Sequence, residues 1–143
     1  MDTPFRPCAG YLADTGSVKG LGVFAARDLE AGEVVEIAPI VRIESALGDL
    51  PEALRHRVFD WARLAGESGV LANALGYGCM YNHANPANLR YAACMDGAAI
   101  SFVAVRAIAC GEELTINCNG AGGEPESESD VWFRNFGIEP IDT

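Results

Sequence analysis

Five cysteines, two histidines and a single lysine bound the chemistry open to this 143-residue chain. Cys8, Cys79, Cys94, Cys110 and Cys118 are odd in number and form no C-x-x-C pair, which fits free thiols better than a disulfide framework. With only His56 and His83 as imidazoles and no clustered ligand pair, a zinc centre is not expected. Asn82-His83-Ala84-Asn85-Pro86 is a polar turn in an otherwise apolar context. Its amide and imidazole either face a ligand, toward which they can donate and accept, or brace a loop. Lys19-Gly20-Leu21-Gly22 is either a tight turn or a backbone that a ligand can approach closely, since glycine carries no side chain to obstruct it. Tyr77 and Tyr81 bring the nearest phenols to the Asn-His turn.

The whole chain reads as one domain. At this length a fold hides about 70% of its unfolded-chain surface and needs neither disulfide nor metal to be stable. Half of the residues are hydrophobic and 21% are charged, an ordinary globular composition. A net charge of −10 argues against a nucleic-acid backbone as partner and favours a basic partner or simple solubility. The longest apolar run, from Ala98 to Cys110, is interrupted by Ser101 and Arg106, so no membrane span is expected. Met1 to Pro7 has no basic region leading into an apolar one, and the free thiols suit a reducing compartment, so the expected location is cytoplasmic.

Short apolar runs separated by turn residues make the first third mostly β. Val34 to Ala38 and Ile40 to Ile43 flank Pro39, where a strand is expected to bend or break. After Pro51, the spacing of Leu54, Val58, Trp61, Ala62 and Ala65 predicts one amphipathic helix ending at Gly66, with Glu52, Arg55, Arg57, Asp60 and Arg63 on a solvated face. Strands are expected over Leu89 to Met95 and Ile100 to Ile108, joined by an Asp96-Gly97 hairpin turn, and over Leu114 to Cys118. Residues 120–130 are a glycine-rich loop with Glu124, Glu126, Glu128 and Asp130. Residues 131–143, with Trp132, Phe133 and Phe136, are an aromatic tail expected to dock on the domain.

Four segments in order resemble the motifs of SET-domain protein-lysine methyltransferases, over roughly Gly16 to Trp132. They are Lys19-Gly20-Leu21-Gly22-Val23-Phe24-Ala25, Asp28-Leu29-Glu30-Ala31-Gly32-Glu33, Gly76-Tyr77-Gly78-Cys79-Met80-Tyr81-Asn82-His83 and Gly111-Glu112-Glu113-Leu114-Thr115-Ile116-Asn117. The resemblance implies a mainly β fold with a few short helices, a β-clip of small curved sheets closed by a C-terminal pseudoknot. It implies that the cofactor is S-adenosylmethionine, held by Lys19, Leu21, Gly22, Asn82 and His83, with Trp132 stacked on adenine. The substrate would be a basic, histone-like protein, which an acidic surface would attract. In length the chain resembles the compact viral and bacterial members, some of them homodimers. A viral or exported source would put it in a host-cell interior or nucleus.

One position departs from the pattern. Where the family places its catalytic tyrosine, after the Gly-Glu-Glu-Leu-Thr motif, this chain has Cys118. A thiol is a weaker donor of different reach, and a thiolate could itself take the methyl group. Either Tyr77 or Tyr81 supplies the hydroxyl and activity survives, or the domain is a SET-fold binding module whose catalysis is lost or reduced. Ala84 and Pro86 also depart from the family's Asn-His motif, whereas Asn88 and Tyr91 fit it.

Overall fold

The computed structural model describes residues 4–118. Strands β1 (Gly10–Asp14) and β2 (Leu21–Ala25) form a hairpin, followed by the ten-residue β3 (Val34–Ile43). Next come α1 (Glu52–Arg55), β4 (Val58–Asp60), α2 (Trp61–Ala65), β5 (Leu71–Ala74) and β6 (Asn82–His83). Then β7 (Leu89–Cys94), β8 (Ala99–Ala104) and β9 (Glu113–Ile116) complete two sheets, ordered β1-β2-β9-β6 and β4-β5-β3-β8-β7. The architecture is mainly β with a few short helices, as expected. The acidic loop of residues 120–130 and the aromatic tail of residues 131–143, Trp132 included, lie outside the described residues.

The single helix expected after Pro51 does not form. Its apolar spacing is divided among α1, β4 and α2, and β4 pairs antiparallel with β5 through Val58↔Asn73, Phe59↔Ala72 and Asp60↔Leu71. The physical reason is that neighbours in β4 serve different cores. Val58 packs in a small cluster with Leu47, Leu50 and Leu71, while Phe59 joins the main core. Adjacent residues pointing to opposite sides is a strand's period of two, which no helix provides. The pieces are then locally well punctuated. The Asp60 carboxylate accepts from the Ala62 and Arg63 amides at the start of α2, and Gly66 closes it in the left-handed conformation at φ 72°.

Strand β3 runs through Pro39 without ending. Val34 to Pro39 pair with β8 and Ile40 to Ile43 pair with β5, so one strand joins both halves of its sheet. The Asp96-Gly97 turn forms as expected between β7 and β8, with Met95, Asp96 and Gly97 all at positive φ. The main core lies between the sheets. Phe102 has no exposed surface, and its ring packs 4.6 Å from that of Tyr81 and 6.2 Å from those of Phe59 and Tyr91.

Candidate functional site

The sheet β1-β2-β9-β6 collects three of the four motif segments. Strand β9 lies antiparallel to β2, through Val23↔Leu114, and parallel to β6, through Asn82↔Thr115 and His83↔Ile116. Parallel strands need a crossover between them, and the long excursion through β7 and β8 provides it. Last motif and Asn-His turn thus become neighbours although 31 positions separate Asn82 from Glu113.

Side chains then tie the segments together. Asn82 Nδ2 donates to the Leu21 carbonyl at 3.0 Å and to Glu113 Oε2 at 2.8 Å. Lys19 Nζ donates to the His83 carbonyl at 2.8 Å, and the Cys118 amide donates to His83 Nδ1 at 3.2 Å. Gly22 makes the approach possible, because a Cβ there would stand 2.6 Å from Glu113 Oε2 and 3.0 Å from Asn82 Nδ2. Lys19, Leu21, Gly22, Asn82 and His83 are therefore brought to one place. Leu21 is 48% exposed and a Cβ on Gly20 would meet no atom within 4 Å, so an open surface lies beside this backbone. Both amide hydrogens of Asn82 are used, and its Oδ1 accepts no bond among the described residues.

Asn88, buried to 3% exposure, braces the same junction. It donates to the Glu113 carbonyl at 2.7 Å and accepts from the Thr115 amide at 2.8 Å. Tyr91, also buried, donates its hydroxyl to the Asn117 carbonyl at 2.9 Å, immediately before Cys118.

Cys118 lines a partly open pocket with Phe59, Tyr81, Tyr91 and Ile116. Desolvation pushes its thiol up to about 12, an effect that the Arg63 charge only partly offsets, so the group is protonated at neutral pH. Tyr81 shares this pocket, and Tyr77 is not in its lining. The Tyr81 hydroxyl donates to Glu36 Oε1 at 2.7 Å and lies 3.2 Å from Cys8 Sγ. The other carboxylate oxygen, Glu36 Oε2, accepts from the Tyr77 amide at 2.9 Å. Burial raises the Glu36 carboxyl above its ordinary value, and burial beside that acid raises the Tyr81 phenol well above its own. The two tyrosyl hydroxyls of the pocket are thus both bonded to groups of the protein itself.

Sequence reasoning missed Glu36, Glu113 and Arg63. The apolar spacing alone puts Arg57, Asp60 and Arg63 on a solvated helix face, whereas all three line the pocket. The Gly76 position held a usable signal for Glu36: this glycine has φ 62°, and a Cβ there would stand 2.5 Å from Glu36 Oε2.

Comparison with known proteins agrees with this geometry. The SET domain family model matches residues 20–119. A Plasmodium falciparum protein described as a candidate histone methyltransferase superposes with a TM-score of 0.60 at 23% identity, covering 78% of this chain and 93% of that one. An active polycomb repressive complex 2 in its basal state superposes with a TM-score of 0.64 at 26% identity, covering 78% of this chain but 15% of the other. The polycomb repressive complex 2 of Chaetomium thermophilum gives 0.59 at 23% identity, covering 77% and 15%. None of these three supports the expected nearness to viral or bacterial members. No curated protein sequence matches.

Proposed function

This chain belongs to the SET-domain family of S-adenosylmethionine-dependent protein-lysine methyltransferases, and from that premise we propose that it transfers methyl groups to lysine in a basic, histone-like protein. The observation that carries this reading is the convergence of Lys19, Leu21, Gly22, Asn82 and His83 on one sheet through β2, β9 and β6. The donor set fits the cofactor: backbone from Lys19 to Gly22 beside open surface, and an amide oxygen of Asn82 free to accept.

S-adenosylmethionine, when bound, supplies an electrophilic methyl group. The protein's part is to hold a lysine amine in line with it, uncharged and shielded from water. Phe59, Tyr81, Tyr91 and Ile116 give the pocket an apolar wall that disfavours an ammonium ion relative to the neutral amine. The protonated Cys118 thiol is a poor competitor for the methyl group. Where the family uses a phenol, positioning and desolvation would have to provide more of the rate.

A second reading has its own observation. Cys118 at the tyrosine position, with the Tyr81 and Tyr91 hydroxyls donated to Glu36 and Asn117, supports the alternative of a SET-fold binding module with reduced or lost catalysis. Calorimetric titration with S-adenosylmethionine, followed by mass analysis of the same sample, tests the first reading. Micromolar binding with Cys118 unmodified is expected; a folded protein that binds no cofactor would overturn it.

A further inference from the structure

The pocket is not uniformly apolar. Beside Phe59, the segment from α1 to α2 contributes His56, Arg57, Asp60 and Arg63 to its lining. Among the described residues, two arginines and one aspartate thus line a pocket in a protein whose net charge is −10.

The arginines of this chain are used in different ways. Arg27, Arg42 and Arg106 are each paired with a glutamate, and Arg55 donates to two backbone carbonyls. Arg57 and Arg63 have no ion pair among the described residues. Each donates once to a carbonyl, Arg57 to Cys79 at 3.1 Å and Arg63 to Cys118 at 3.4 Å. A guanidinium has five N–H donors in a planar fork, so most of the bonding capacity of both is unspent. Asp60, the one acid in the lining among the described residues, uses a carboxylate oxygen to cap α2. The carbonyls that hold the two arginines belong to residues that also line the pocket, which ties both guanidinium groups to its wall.

Two such cations in the lining repel the flanking cations of a uniformly basic peptide and attract an anion. Resting on the methyltransferase reading of the same pocket, we propose that Arg57 and Arg63 select substrates in which an anionic group, a carboxylate or a phosphate, lies next to the target lysine. The negative field of the whole domain draws the lysine-bearing chain from a distance. Within about 10 Å, the screening length at ordinary salt, the local pair of cations decides which sequence seats. Guanidinium forks match both carboxylate and phosphate in bidentate geometry. The influence of the Arg63 charge on the Cys118 thiol is in keeping with a cation that acts inside the pocket.

The test uses labelled peptides identical except beside their single lysine, which is flanked by glutamate, phosphoserine or glutamine. Binding is followed by fluorescence anisotropy, with and without S-adenosylhomocysteine. The wild type should bind a peptide with an anionic flank roughly fivefold more tightly than the glutamine peptide, the scale of two half-exposed charge pairs. The double variant Arg57→Gln, Arg63→Gln should reduce that ratio to about one, and Arg57→Lys with Arg63→Lys should retain part of it. A preference for glutamate, for phosphoserine or for both supports the proposal and identifies the anion's source. Equal binding of all three peptides, no binding of any, or a ratio that survives the glutamine substitutions overturns it. Because the ratio is also read without S-adenosylhomocysteine, failure to bind cofactor in the calorimetric titration would sink the methyltransferase reading separately.

Discussion

The two sheets of this domain are held together by different forces. In β4-β5-β3-β8-β7 the ladders that β8 makes with β3 and β7 are long, and the inward face is apolar and aromatic, with Phe59, Tyr91, Ile100 and Phe102 all buried. In β1-β2-β9-β6 the central β9 meets β2 and β6 through two residue pairs each, and β6 has two residues. Among the described residues, four of the five buried polar ones, His83, Asn88, Thr115 and Asn117, lie on or beside β6 and β9, and Glu36 belongs to the other sheet. Apolar burial is non-directional, so it stabilises a scaffold without dictating which backbone atom faces which. Buried polar bonds are directional and costly to leave unmade, so they fix the register of strands too short to fix their own. Both sheets contribute to the apolar core, Val23, Ala25 and Leu114 from the smaller one, and the expected difference is that polar bonding sets the arrangement of β6 and β9.

The sharpest way to break this contrast is Phe102→Ala. Truncating a fully buried ring that packs on three others should cost about 3–5 kcal/mol in chemical denaturation. Material that still folds should retain its affinity for cofactor. Asn88→Ala should do the reverse. It leaves the Glu113 carbonyl and Thr115 amide without their partner and should cost about 2–3 kcal/mol, together with loss of cofactor binding in titration. If both variants lose stability but keep cofactor affinity, the division of labour fails.

Cys118→Tyr sharpens the chemical side. Restoring a phenol should raise methyl transfer to a basic protein by roughly a hundredfold, the lower end of what one well-placed donor supplies. Unchanged turnover in a folded, cofactor-binding variant would favour the binding-module reading.

Glu36→Gln has the smallest expected effect and a defined pH signature. Burial raises the folded-state pKa of Glu36 above its ordinary 4.5, so its contribution to stability is full below that value and is lost as pH rises through the raised value. The variant should lack this fall, and the stability difference between the two proteins should change with pH across that window. A parallel pair of stability curves would show that Glu36 does not titrate there.

Much of the site was legible before any coordinates. Gly20-Leu21-Gly22, Asn82-His83 and the segment through Cys118 announce themselves by residue type and order. The Asp96-Gly97 hairpin was also legible, because a turn is a local matter of φ angles. The region from Pro51 to Gly66 was not. Its spacing suits a helix, and only pairing with β5 and the division of Val58 and Phe59 between two cores turned its middle into a strand. Arg57 and Arg63 looked like solvated surface for the same reason, since a helix of that length would have carried them away from the pocket.

The sequence by itself determined the catalogue of groups: one lysine, a protonatable thiol where a phenol belongs, an amide-imidazole pair and a strongly negative charge. These are properties of residue type and order, and they survive any folding of the chain. Only the tertiary structure decided which groups meet. Parallel pairing of β6 with β9 set Asn82 against Glu113, burial committed the Tyr81 hydroxyl to Glu36, and β4 turned Arg57 toward the pocket. Each of those meetings joins residues more than 20 positions apart, where chain connectivity places no restriction and only the shared burial of surface selects a partner.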